Sequence, residues 1–233
     1  MMKLFIAGVI IALHWITFFG AIDEANVSIA LAMFSTGAFF ASLIEPIIFK
    51  RRIIWYEIIF GILVVVGVFL ITKSELKYIN GIALGIISAF LSSLFSVLNG
   101  KFLQYHSATV ISFYEFISGV VFISIFIGLF YGGFSFEFFN LSISDFSYLF
   151  ILASICTAYA FIASVHVMKV ISPYTVVLSY NLEPVYGILL AFILFPEKEK
   201  MSPVFYFGAS IILVTVMLNG IIKNKRLLKR KRS

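Results

Sequence analysis

Leu4-Phe-Ile-Ala-Gly-Val-Ile-Ile-Ala-Leu-His-Trp-Ile-Thr-Phe-Phe-Gly-Ala-Ile22 runs for nineteen residues without one Asp, Glu, Lys or Arg. About 20 apolar residues in a helix cross the roughly 30 Å hydrocarbon core of a bilayer, and in lipid the helix satisfies its own backbone. Seven further stretches of this kind follow with short polar joints. The sequence therefore predicts helices over 4–22, 27–49, 53–72, 79–99, 108–131, 147–168, 174–195 and 203–222. The expected fold is all-α and integral to the membrane, with about eight transmembrane helices. Period-two alternation is absent, which argues against a transmembrane β-barrel. With 62% hydrophobic residues, 12% charge and a mean hydropathy of +1.10, the chain is not that of a water-soluble protein.

Met1-Met2-Lys3 before an apolar run resembles a secretory signal. Leu4 to Ile22 is long for a signal core and contains His14 and Trp15, so it reads as the first span. The single cysteine, Cys156, lies in an apolar segment and reads as a small buried side chain. Lys and Arg set the orientation. With both termini cytoplasmic, the inner side carries Lys3, Lys50, Arg51, Arg52, Lys101, Lys169 and seven residues of the tail 223–233, and the outer side only Lys73, Lys77, Lys198 and Lys200. This is the positive-inside distribution. It predicts a multi-pass protein of the inner (plasma) membrane. The net charge of +6 comes mainly from the tail, which has no interleaved aromatics; it suits anionic headgroups and not nucleic acid.

Residues near 12–72 and 159–219 read as two copies of a three-helix pattern. Asn26-Val-Ser-Ile-Ala-Leu31 lies beside Ser172-Pro-Tyr-Thr-Val-Val-Leu178, Tyr56 to Gly61 beside Phe205 to Gly208, and Glu45-Pro46 beside Glu183-Pro184, the last pair nine residues out of register. One copy starts inside and the other outside, which predicts an inverted-topology repeat of the kind secondary transporters use. The expected organisation is a partial first repeat of three helices (1–78), a second repeat of five (79–222) and a basic cytoplasmic tail (223–233). An intact pair would need two more helices ahead of Met1.

Ala12-Leu-His-Trp-Ile-Thr-Phe-Phe-Gly-Ala-Ile22, Asn26 to Leu31, Leu43-Ile-Glu-Pro-Ile-Ile-Phe-Lys-Arg-Arg52 and Asn181-Leu-Glu-Pro-Val-Tyr-Gly187, with Glu197-Lys-Glu-Lys200 behind the last, resemble the corresponding segments of EamA-like permeases of the drug/metabolite transporter superfamily. The resemblance implies ten helices as an inverted pair of five, both termini cytoplasmic, and export or exchange of amino acids, other metabolites or drugs. On that pattern the first two helices are missing. The competing expectation is therefore a truncated accessory protein or pseudo-permease that does not transport. If eight helices do transport, a homodimer is the expected way to close the cavity.

Ionisable groups inside a membrane are costly and by default point to function. Glu183 lies about nine residues into its helix, roughly 14 Å deep. Pro184 removes a backbone donor, so Tyr180, Asn181 and Glu183 are expected to form a polar knot around a helix break that binds substrate or carries a proton. Glu45, with a second break at Pro46, lies near Lys50-Arg51-Arg52 and reads as an interfacial or ion-paired carboxylate with a possible gating part. Glu115, flanked by Ser112, Ser118 and Gly119, reads as an interhelical hydrogen-bond donor or acceptor on a packed face. A neighbouring hydroxyl would satisfy His14, but the resemblance puts His14 and Trp15 on a cavity-lining helix and makes them substrate candidates, as it does Tyr159. Asn99 and His166, near helix ends, are set aside. The stripe Gly81, Gly85, Ala89 and Ser93 reads as a close-packing surface. No His-Glu-x-x-His, Gly-x-Ser-x-Gly or phosphate loop occurs, and His14, His106 and His166 are scattered. The expectation is thus a non-enzyme with no cofactor and no metal, whose partners are a small-molecule solute and the lipid bilayer.

Overall fold

The computed structural model describes residues 2–52, 55–180 and 182–232. Among them there are helices and no strands. Seven spans are long and apolar enough to cross a membrane: Met2–Glu24, Val27–Ile48, Leu76–Phe102, Ala108–Phe130, Ile143–Val167, Pro173–Leu194 and Pro203–Ile222. A further helix, Trp55–Ser74, contributes a shorter apolar stretch, Ile59–Ser74. In chain order the helices are α1 (Met2–Glu24), α2 (Val27–Phe34), α3 (Gly37–Ile48), α4 (Trp55–Ser74), α5 (Ile79–Phe102), α6 (Ala108–Phe130), α7 (Phe136–Phe139), α8 (Ile143–Ile151), α9 (Ala160–Val167), α10 (Pro173–Tyr180), α11 (Leu182–Leu194), α12 (Pro196–Glu199) and α13 (Pro203–Arg232). Leu152–Tyr159, between α8 and α9, is wound more widely, as a π-helix.

α5 is the central post, in contact with α1, α2, α3 and α10. Its small-residue stripe makes this possible. A Cβ on Gly81 would lie 2.5 Å from that of Ala25, and one on Gly85 2.7 Å from that of Met33, so neither position has room for a side chain. α4 lies on α13, where Gly67 and Gly208 each face the other's carbonyl. Ile29, Met33, Ile71, Ile82, Phe205 and Ile212 fill the larger apolar core, and Leu4, Ile111 and Val165 a smaller one between α1, α6 and α9.

The second span is interrupted, but not where a proline predicts. α2 ends at Phe34 and α3 begins at Gly37. Between them the hydroxyls of Ser35 and Thr36 donate to the carbonyls of Leu31 (3.1 Å) and Met33 (2.7 Å), a local bonding that competes with regular helix. Ser93 of α5 donates to the Gly37 carbonyl at 2.6 Å, which supplies a donor to backbone loosened by the interruption. The break expected at Pro46 is corrected accordingly: α3 runs through Pro46 to Ile48. Pro184 lies in α11, and the expected break ahead of it falls at Asn181, outside the described residues.

Packing is uneven. Helices around α5 are well covered, whereas Ile143–Val167 is almost bare and touches the rest mainly through α9 against α6. Cys156, expected to be buried, is exposed for that reason.

Candidate solute site

α6 turns Ser112, Glu115, Ser118 and Gly119 toward α1 and α5, as their three- and four-residue spacing allows. Ser118 donates to the Phe5 carbonyl at 2.6 Å. A Cβ on Gly8 would collide with the backbone carbonyl of Glu115, so glycine is what lets α1 approach so closely. Glu115 itself is fully buried. Its Oε2 accepts a hydrogen bond from Asn99 Nδ2 of α5 at 3.0 Å. Its Oε1 has no hydrogen-bond partner among the described residues, and neither has Asn99 Oδ1. Asn99, set aside on sequence, is therefore the group that holds Glu115.

Beside this carboxyl is a cleft of about 440 Å³. Trp15 and Phe19 of α1 form one wall, Phe116 and Ile123 of α6 a second, and Leu152 and Thr157 of the π-wound segment a third. Glu115 lines it too. The cleft exists because the poorly packed span Ile143–Val167 does not close onto α1. Glu115 lies about seven residues into α6, some 10 Å along the helix, well inside a roughly 30 Å core.

His14 is one residue from Trp15 but points elsewhere. Its Nδ1 is 2.9 Å from Ser88 Oγ and 3.1 Å from the Ser88 carbonyl, and its ring packs among Phe18, Phe34 and Phe95. It joins α1 to α5 and does not line the cleft. Trp15 stacks on Phe19 with ring centres 5.5 Å apart.

The two Glu-Pro pairs occupy different surroundings. Glu45 is buried, and both of its oxygens are engaged: Oε1 accepts from Arg51 Nη1 at 3.1 Å and Oε2 from the Tyr174 backbone N–H at 2.9 Å. The second bond gives an acceptor to a first-turn N–H of α10. Glu183 of α11 is exposed and close to Tyr180, which interacts with Ser164. Two members of the expected polar knot, Tyr180 and Glu183, thus lie near each other, and the third, Asn181, lies outside the described residues. Tyr159 is also exposed and does not line the cleft.

Two buried carboxylates escaped the sequence reading. Glu199 of α12 accepts from the backbone N–H groups of Val27 (3.1 Å) and Ser28 (2.9 Å), which closes the start of α2 beside the Asn26 cap on Ile29. Glu75 accepts from Ser202 N–H at 3.0 Å, ahead of α13. Each works on backbone more than 120 residues away, so no local pattern announces the pairing. The partial signal was the bare start of α2, where a helix must find acceptors for its first N–H groups.

The family model described as "EamA-like transporter family" matches residues 79–221, from the first residue of α5 into α13. No curated protein matches the chain.

Proposed function

This chain belongs to the EamA-like transporter family, and from that premise we propose that it is a secondary transporter that moves small organic metabolites, amino acids or drugs outward across the plasma membrane. The observation that carries the reading is a cleft at membrane depth, apolar in its walls, with a residue that bears a buried carboxyl, Glu115, among those that line it. Polar groups so placed are costly in a bilayer and mark solute or proton paths. Trp15 and Glu115 contact the solute, Glu183 beside Tyr180 and Asn181 takes its polar groups or a proton, and Glu45 braces the gate at the end of the bundle that holds Arg51, with both chain termini in the cytoplasm.

Alternating access comes from rocking one repeat against the other. Three contacts support the inverted repeat: α2 packs on α11, α3 on α10, and α4 on α13. If α2, α3 and α4 correspond to α10, α11 and α13, the first two contacts are each other's mirror under a two-fold operation, and the third joins two equivalent helices. The caps follow the same exchange, since Glu45 of α3 closes α10 and Glu199 beyond α11 closes α2.

The test is counterflow in proteoliposomes loaded in turn with unlabelled amino acids and with small amines and then given the labelled solute outside. Accumulation above protein-free vesicles that saturates and falls in Glu183→Gln is expected. Absence of saturable counterflow for the whole panel overturns the transporter reading.

A further inference from the structure

Glu115 and Asn99 form a buried pair that has too many acceptors once the acid is ionised. A carboxylate only accepts, and an amide brings one acceptor oxygen with its N–H donors. Of the three oxygens, one is matched, by Asn99 Nδ2 on Glu115 Oε2, and two are without donors among the described residues. Buried polar atoms in native proteins nearly always have partners, so an orphan on a residue that lines a cavity, within reach of an occupant by a side-chain rotation, calls for an explanation. What is missing is a donor, and the walls around it are aromatic and aliphatic.

We propose that the cleft between α1, α6 and the π-wound segment binds an amphipathic organic amine, with the ammonium donating to Glu115 Oε1 and the apolar body lying against Trp15, Phe19 and Phe116. The inference rests on the transporter reading for its purpose and names the solute class. Three features select it. A metal cation would want six or more oxygens, and the cleft offers one carboxylate. An ammonium needs few acceptors and gains from aromatic faces nearby. The volume, about 440 Å³, lies in the range of small-molecule pockets and admits an amine with one or more rings. The span Ile143–Val167, which forms the third wall, is the least packed of the membrane spans and is free to open the cleft to an occupant. A neutral solute of the same shape would leave the carboxylate without a charge partner, which gives the site its selectivity.

The chain has two tryptophans, Trp15 and Trp55, so Trp55→Phe leaves Trp15 as the sole reporter in the cleft wall. In lipid nanodiscs of this variant, 4-bromophenethylamine should quench Trp15 by heavy-atom contact, saturably and reversibly on addition of unbrominated phenethylamine. The neutral isostere 4-bromophenethyl alcohol should bind about tenfold or more weakly, a difference of at least 1.4 kcal/mol. Glu115→Gln should erase that preference, and Ala153→Phe, which fills the cleft from its exposed wall, should reduce amine quenching to the level of a lipid-dissolved quencher. Equal quenching by amine and alcohol on the parent protein overturns the proposal without any variant. So does amine quenching that survives Ala153→Phe. Specific binding without flux in proteoliposomes would leave the site standing and remove the transporter reading. Saturable flux of other solutes without amine-specific quenching would do the reverse.

Discussion

Glu45-Pro46 and Glu183-Pro184 are the same dipeptide in two membrane spans, yet one carboxylate is closed in and the other is open. Glu45 is buried, with one oxygen on Arg51 and the other on the first turn of α10. Glu183 is exposed on α11. The difference comes from what lies opposite. The Glu45 end of α3 meets the start of α10, and a carboxylate at that point accepts a charge-assisted bond from the Tyr174 N–H and complements the helix dipole. Among the described residues no such neighbour is seen for Glu183. A carboxylate whose oxygens are both used by the fold is a brace. One that keeps an oxygen free, as Glu115 does, is available to a solute.

The comparison is sharpened most by Glu199, which closes a helix start with two bonds and, among the described residues, no ion pair. If capping is what makes Glu45 structural, Glu199→Ala must cost more, because it strands the N–H groups of both Val27 and Ser28 in a buried setting. A loss of about 3 kcal/mol is expected, read as thermal unfolding in detergent. Glu45→Ala should follow at about 2 kcal/mol, nearly all from the cap. The Arg51 partner is 62% exposed at its side chain, and an ion pair so open to solvent adds little. Arg51→Ala on its own should therefore shift unfolding far less than Glu45→Ala. An equal shift would move the weight from the cap to the ion pair.

A third measurement applies the same reasoning to His14. Ser88→Ala removes one of the two groups on Nδ1 but leaves the Ser88 carbonyl in place, so stability should fall by about 1 kcal/mol. Solute flux should not change, because His14 does not line the cleft. A selective loss of flux would return His14 to the solute path.

The membrane spans were legible because each carries its own signal in uncharged length, and the joints because charge and Gly or Pro collect there. The Glu115 face was legible as well: Ser112, Ser118 and Gly119 at helical spacing announce a packed polar stripe, and the structure packs it on α1. The partners were not. Asn99 looked like a helix-end residue because its value depends on a carboxylate on the neighbouring helix, and Glu199 acts on α2 from 171 residues away. Pro46 misled because a proline says where a helix loses a donor, while the actual interruption lies where Ser35 and Thr36 capture carbonyls and Ser93 reaches in from α5. The cleft could not be read at all, since it is made by the failure of Ile143–Val167 to pack.

The smallest effect on stability and the largest divergence from it are expected at Glu183. Glu183→Gln changes an exposed side chain that, among the described residues, closes no helix start in the other half, so unfolding should move by less than about 0.5 kcal/mol, the range of ordinary surface substitutions. Flux should fall steeply all the same, because a carboxylate left open at this point in a span has no structural task to justify its desolvation in a bilayer. The pair of readings separates the two Glu-Pro sites cleanly. Glu45→Gln keeps an acceptor for Tyr174 N–H, so it should retain more stability than Glu45→Ala and lose flux only in proportion to folded protein. Glu183→Gln should lose flux with the folded amount unchanged. If instead Glu183→Gln lowers both together, its carboxyl is a brace like that of Glu45, and Glu115 is left as the carboxylate that meets the solute.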